Sequence, residues 1–168
     1  MNILAWLLLN LFLFTVQTHW FMAFSTRQSP DLLLLMLILY SLRQGGRKGA
    51  LYGLGIGAFL DIVTFSYFGY HIATRMFLGA VIGKNRMNMF ADRMPTYLVL
   101  TAMATLLLQV SHGLFLCIAA RRWLPFLPFV GMTLRSIGWN LVCAPVVWVL
   151  YHKIQKRLQR RRTYYYHF

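Results

Sequence analysis

The sequence predicts an all-α integral membrane protein with about six transmembrane helices. Three observations carry that expectation. Hydrophobic residues make up 59% of the 168-residue chain, and the mean hydropathy is +0.58. A soluble domain of this size cannot bury so much apolar surface in one small core. Long stretches such as residues 3–24 and 95–119 carry no charge. Lys and Arg number 17 against 3 carboxylates, Asp31, Asp61 and Asp92. One membrane helix takes ~20 residues, so six use ~120 and leave only short connections and a tail.

The same numbers exclude several functions. Paired-carboxylate catalysis is excluded because no two of the three acids are close in sequence. A net charge of +14 suits a nucleic-acid binder, but charge-free runs of this length do not. Cys117 and Cys143 lie in apolar surroundings without CxxC or Cys/His spacing, so no disulfide, metal or cofactor is expected. No cleavable signal peptide is expected, because Met1-Asn2-Ile3 lacks a basic start and the apolar run continues past a normal h-region.

Residues 3–24 form the first span. Ser29-Pro30-Asp31 opens the second: Ser29 can cap, Pro30 suits the first turn, and Asp31 complements the positive end of the helix dipole. The apolar run from Leu32 to Leu42 is short for a span and reads as a truncated or protein-buried helix. Gly45-Gly46-Arg47-Lys48 reads as a turn. Residues 49–65 form a glycine-rich third helix, 66–69 a tight turn, and 70–83 a fourth helix. Residues 84–93 read as a basic loop and 95–119 as the clearest span. Residues 121–131, with Trp123, Pro125 and Pro128, suit an interfacial loop or half-helix. Residues 136–151 form the sixth helix, with a kink at Pro145. The membrane domain thus spans 1–152, and 153–168 is a basic tail.

Orientation follows from the basic residues. With both termini inside, the inner segments hold Arg43, Arg47, Lys48, Lys84, Arg86, Arg93 and the tail. The tail supplies Lys153, Lys156, Arg157, Arg160, Arg161 and Arg162, which suit the anionic inner leaflet. The outer segments hold Arg27, Arg121, Arg122 and Arg135.

The third helix is the informative one. Gly49, Gly53, Gly57 and Asp61 recur every four residues and form one slanted ridge. Small residues at this spacing let helix backbones approach closely in lipid. On the fourth helix His71, Arg75, Gly79 and Gly83 answer at the same spacing, across a turn containing Gly69. Asp61 is therefore expected to face Arg75 and His71 as an ion pair that locks the hairpin. A groove for a partner's helix is the sharper alternative, and a proton pathway the weakest, since a relay normally needs more than one buried acid. Gln17, His19, Gln109, His112 and Asn140 read as interhelical hydrogen-bond partners, with Asn140 the best placed, near Gly138 and Pro145. Trp6, Trp20, Trp123 and Trp148 read as interfacial anchors.

Pro30-Asp31 followed by Leu32–Leu35, then Gly49-Ala50, Gly53, Gly57 and Asp61, then Phe68-Gly69-Tyr70-His71, resembles the rod shape-determining MreD family. Asn140 followed by Pro145 on the closing helix is also similar. The resemblance covers nearly the whole chain. It implies a non-enzymatic protein of the bacterial inner membrane that works in the elongasome, the complex inserting side-wall peptidoglycan. It implies binding to MreC, a single-pass periplasmic protein. Through MreC it implies links to RodA, a class B penicillin-binding transpeptidase and the actin homologue MreB. It implies a six-helix fold similar to the S component of energy-coupling-factor vitamin transporters. That likeness supplies a second hypothesis, a small-molecule (vitamin) binding subunit with Gln17, His19, Trp20 and Trp123 around an outer cavity. A third, an enzyme holding a lipid pyrophosphate at Arg121-Arg122, lacks any accompanying acid or metal-ligand set.

Overall fold

A computed structural model describes residues 3–20, 29–64, 68–88, 93–120 and 125–165, at 3–7, 20, 87–88, 120 and 155–165 by their backbone alone. Among the described residues all regular secondary structure is helical. The α-helices are α1 (Ile3–Thr15), α2 (Leu32–Gln44), α3 (Gly46–Thr64), α4 (Tyr70–Lys84), α5 (Met94–Ala120) and α6 (Phe126–Tyr165). A π-turn at Val16–Trp20 extends α1, and a 3-10 turn at Asn85–Asn88 follows α4.

The short helix is the centre of the molecule. α2 has 13 residues, a length of ~20 Å against a hydrocarbon core of ~30 Å. It touches every other helix, and each residue from Leu32 to Leu39 is buried. A helix apolar on all sides is stable only when surrounded, and here protein surrounds it. The core continues through Leu60 of α3, Leu78 and Ile82 of α4, Tyr97 and Ala104 of α5, and Ala144, Val147 and Tyr151 of α6. The Tyr97 hydroxyl donates to the Leu35 carbonyl across 3.3 Å.

The chain reverses between α2 and α3 at one residue rather than over Gly45–Lys48. Gly45 has φ 91°, a left-handed conformation that favours glycine. Its N–H donates to Ser41 O at 2.9 Å and its carbonyl accepts from Gly49 N at 2.8 Å, so it closes both helix ends. Arg47 and Lys48 therefore lie in the first turn of α3.

α3 and α4 form an antiparallel hairpin whose register the glycines set. A methyl group at Gly49 would lie 2.5 Å from the Gly79 carbonyl oxygen, and one at Gly57 would lie 2.5 Å from the His71 carbonyl oxygen. At Gly53 it would collide with the Arg75 carbonyl, and at Gly83 it would lie 2.5 Å from Gly46 N. The contacts step by four residues down one helix as they step up the other. The backbones thus touch along the length of the pair, which no side chain would permit.

α5 and α6 are the long elements, with 27 and 40 residues. Among the described residues, 94–119 and 126–154 are long and apolar enough to cross a membrane by length and composition. α6 corrects the sequence reading. Residues 126–131 are neither an interfacial loop nor a separate half-helix but the first turns of the closing helix itself, which contains Pro145. Pro128 falls in its first turn, where a backbone N–H has no helical acceptor, so proline is tolerated there. Trp123, Arg121 and Arg122 lie outside the described residues, as do Arg27 and residues 65–67.

Candidate functional site

The polar groups of the bundle converge on the N-terminus of α2. This helix starts inside the molecule, so its first N–H groups need protein partners. Asp31 caps it: its Oδ1 accepts from Leu34 N at 2.9 Å. The Leu32 N–H donates to Gln17 Oε1 of the π-turn at 3.1 Å. The Asp31 N–H donates to Asn140 Oδ1 of α6 at 2.7 Å, and Asn140 Nδ2 donates to Thr105 Oγ1 of α5 at 2.8 Å. From α4, the Arg75 guanidinium donates through Nη2 to the remaining Asp31 oxygen. One helix end thereby joins α1, α4, α5 and α6. Arg75 is 4% exposed, and its Nε and Nη1 have no hydrogen-bond acceptor among the described residues.

Asp61 does different work. It is 2% exposed and lies in the last turn of α3. Its carboxylate accepts from the N–H groups of Gly69 at 2.8 Å, His71 at 3.1 Å and Ile72 at 3.2 Å. It caps the next helix in the chain, where the exposed N–H groups and the dipole favour a negative charge. Gly69, with φ 99°, makes the approach possible.

The expected Asp61–Arg75 pair is therefore corrected. The residues share the hairpin interface, but at different heights. Arg75 stands opposite Gly53, eight residues and ~12 Å along α3 from Asp61. The nearest carboxylate to its side chain belongs to α2. His71 contributes its backbone N–H to Asp61, while its ring packs at 5.2 Å from that of Tyr70. The glycine ridge is filled by the α4 backbone, so Gly49, Gly53 and Gly57 present no groove to another molecule. Asp61→Asn keeps one acceptor oxygen and loses the charge. Its expected loss is ~1–2 kcal/mol, against ~3 kcal/mol for Asp61→Ala, which removes every acceptor. The thermal midpoints of the purified variants check this, and equal midpoints for the two would contradict a capping role.

Asn140, read from the sequence as an interhelical hydrogen-bond partner, bridges the start of α2 to α5. Pro30 is buried beside it. Gln17, read as a generic hydrogen-bond partner, is a second cap of α2. Gln109 Nε2 donates to Ser136 Oγ at 2.8 Å, and the Tyr70 hydroxyl pairs with Ser111 Oγ at 2.8 Å. The Arg75–Asp31 bond escaped the sequence reading, although one signal for it existed. An apolar helix of 13 residues has to start within the protein, and an aspartate at that point calls for a buried cation.

The opposite end of the bundle is basic. Arg43 donates to His152 Nε2 at 2.6 Å, and the His152 ring stacks 4.0 Å from Trp148. Arg86 Nη1 donates to the Arg43 carbonyl at 2.9 Å, at the negative end of α2. Lys153 is exposed beside them. The side chains of Lys156, Arg157, Arg160, Arg161 and Arg162 lie outside the described residues, as do those of Trp6 and Trp20.

A family model described as rod shape-determining protein MreD matches residues 1–158. No curated protein and no solved structure gives a match.

Proposed function

Because the chain belongs to the MreD family of rod shape-determining proteins, we propose that it is a non-enzymatic scaffold of the bacterial inner membrane. It binds MreC and through it joins RodA, a class B penicillin-binding transpeptidase and MreB, supporting side-wall peptidoglycan synthesis. The family match over residues 1–158 carries this reading. The geometry agrees with it: Asp31, Asp61, Arg75 and Asn140 all use their polar groups to tie helices together. A rigid bundle of this kind suits a protein whose task is to hold others in place.

The six-helix bundle sits in the membrane with both termini in the cytoplasm, in an arrangement similar to a transporter S component. The clustering of Arg43, Arg86, His152 and Lys153 at one end supports that orientation. Residues 1–152 form the membrane domain, and the basic residues of 153–168 lie against anionic lipid. The vitamin-subunit alternative gains nothing from Gln17, which is engaged with α2.

Affinity purification of the tagged protein from its native membrane, in mild detergent with mass spectrometry, tests the reading. Recovery of MreC with RodA or the transpeptidase is the expected result. Recovery of transporter ATPase subunits in their place would overturn it.

A further inference from the structure

Arg75 has more donors than the bundle uses. Its Nη2 donates to Asp31. Its Nε and Nη1 are sealed from solvent and have no acceptor among the described residues. A buried donor left unpaired is costly, and more so on a charged group. Tying α4 to α2 takes one nitrogen of the guanidinium. The other two call for an acceptor that the helices do not supply.

The surroundings are polar, and their charges balance. His71 stands one turn before Arg75 on α4, ~6 Å away on the same face. Tyr70 packs at 5.2 Å from the His71 ring and at 5.5 Å from that of His112 on α5. No described residue hydrogen-bonds to either imidazole. The Asp31 side chain is 23% exposed, so its carboxylate keeps an open edge. Asp31 and Asp61 carry two negative charges. Arg75 supplies one positive charge, and the N-termini of α2 and α4 supply ~0.5 each. A bare anion on Arg75 upsets this balance in a low-dielectric interior, whereas a group that brings its own cation does not.

We propose that the start of α2 binds a phosphate that carries its own ammonium, as in a phosphoethanolamine group. The phosphate oxygens accept charge-assisted hydrogen bonds from Arg75 Nε and Nη1. The ammonium lies beside the open edge of Asp31. A lipid headgroup and a free phosphomonoester share this chemistry. The site is closed in this structure, since both nitrogens are sealed, and Tyr70 is its door. Among the described residues the Tyr70 side chain makes every hydrogen bond and ring contact between α4 and α5, to Ser111, the Leu108 carbonyl, His112 and Phe115. Turning this half-buried ring frees the α4–α5 side while the glycine line still holds α3 to α4. The inference does not depend on which proteins the scaffold joins.

The test uses the full chain purified in mild detergent. Native mass spectrometry follows bound lipid with phosphatidylethanolamine or phosphatidylglycerol added, and thermal midpoints are read with each lipid and with soluble phosphoethanolamine. The wild type is expected to hold one phosphatidylethanolamine about tenfold more tightly than phosphatidylglycerol, which lacks the ammonium. Protection by soluble phosphoethanolamine identifies the free ester as a source, and protection by the lipid alone identifies the headgroup. Asp31→Asn keeps the helix cap and removes one negative charge, so it is expected to turn the preference toward phosphatidylglycerol. A purely structural Asp31 leaves the preference unmoved. Arg75→Met combined with Asp31→Asn is expected to lose the bound lipid; should that double variant fail to fold, the preference of Asp31→Asn decides. Tyr70→Phe, which releases the ring from Ser111, is expected to speed uptake, and unchanged uptake contradicts the entrance. Equal affinity of the wild type for both lipids, a preference unmoved by Asp31→Asn, or equal retention by the folded double variant overturns the proposal.

Discussion

Gly53→Leu is expected to leave almost no folded protein in the membrane. A side chain at this position meets the Arg75 carbonyl carbon and oxygen and the Met76 Cα. These are backbone atoms of α4, and a rotamer change does not move them. α4 must retreat along its whole length, which pulls Gly49 from Gly79 and Asp61 from the N–H groups it caps. Overpacking against side chains costs ~1–3 kcal/mol, and backbone collisions exceed that. A loss of ~4–5 kcal/mol removes most of the ~5–15 kcal/mol that folded proteins possess. Gly55→Leu is the control. It lies on the same helix, yet nothing stands within 4 Å of its added carbon. It is expected to accumulate normally, with a small gain from helix propensity. The membrane level of each variant and its elution as a single species check the pair. Equal behaviour would mean that the glycine line faces lipid.

Arg75→Met carries the second large effect. The substitution fills similar volume but leaves the Asp31 carboxylate without its cation, in a place where the side chain is only 23% exposed. Breaking one partner out of a buried pair costs ~3–5 kcal/mol, because the other charge stays buried. The damage concentrates on the start of α2, so Asn140 and Gln17 lose their alignment with it. Adding Asp31→Asn is expected to restore a large part of the loss. Asparagine still accepts from the Leu34 N–H, and the methionine leaves behind none of the guanidinium donors that lack an acceptor. A double variant less stable than Arg75→Met alone would contradict this.

The sequence revealed the helices better than their heights. Apolar runs, the Pro30-Asp31 start and the four-residue glycine spacing located α2, α3 and α4 within a few residues, because periodicity reports which face of a helix is special. Periodicity does not report how far a neighbour extends. Asp61 and Arg75 share a face, so they read as a pair, but the partner of Arg75 is fixed by where α2 begins. Asn140 was legible because a lone amide in an apolar helix needs a partner. α6 was cut short because Pro125 and Pro128 are ordinary loop residues, and only their place before and within the first turn makes them compatible with a helix. Gly45-Gly46 looked like a longer turn because a single positive-φ glycine suffices when both neighbouring helices close on it.

The most direct test of the account is a pair of double-mutant cycles on thermal stability in detergent, using Arg75→Met with Asp31→Asn and Arg75→Met with Asp61→Asn. Residues in one hydrogen-bonded pair couple by ~0.5–3 kcal/mol, and independent sites add within ~0.5 kcal/mol. Strong coupling of Arg75 to Asp31 and near-additivity with Asp61 is the predicted result. Strong coupling to Asp61 and additivity with Asp31 would contradict the arrangement on which the bundle, and the scaffold built from it, depends.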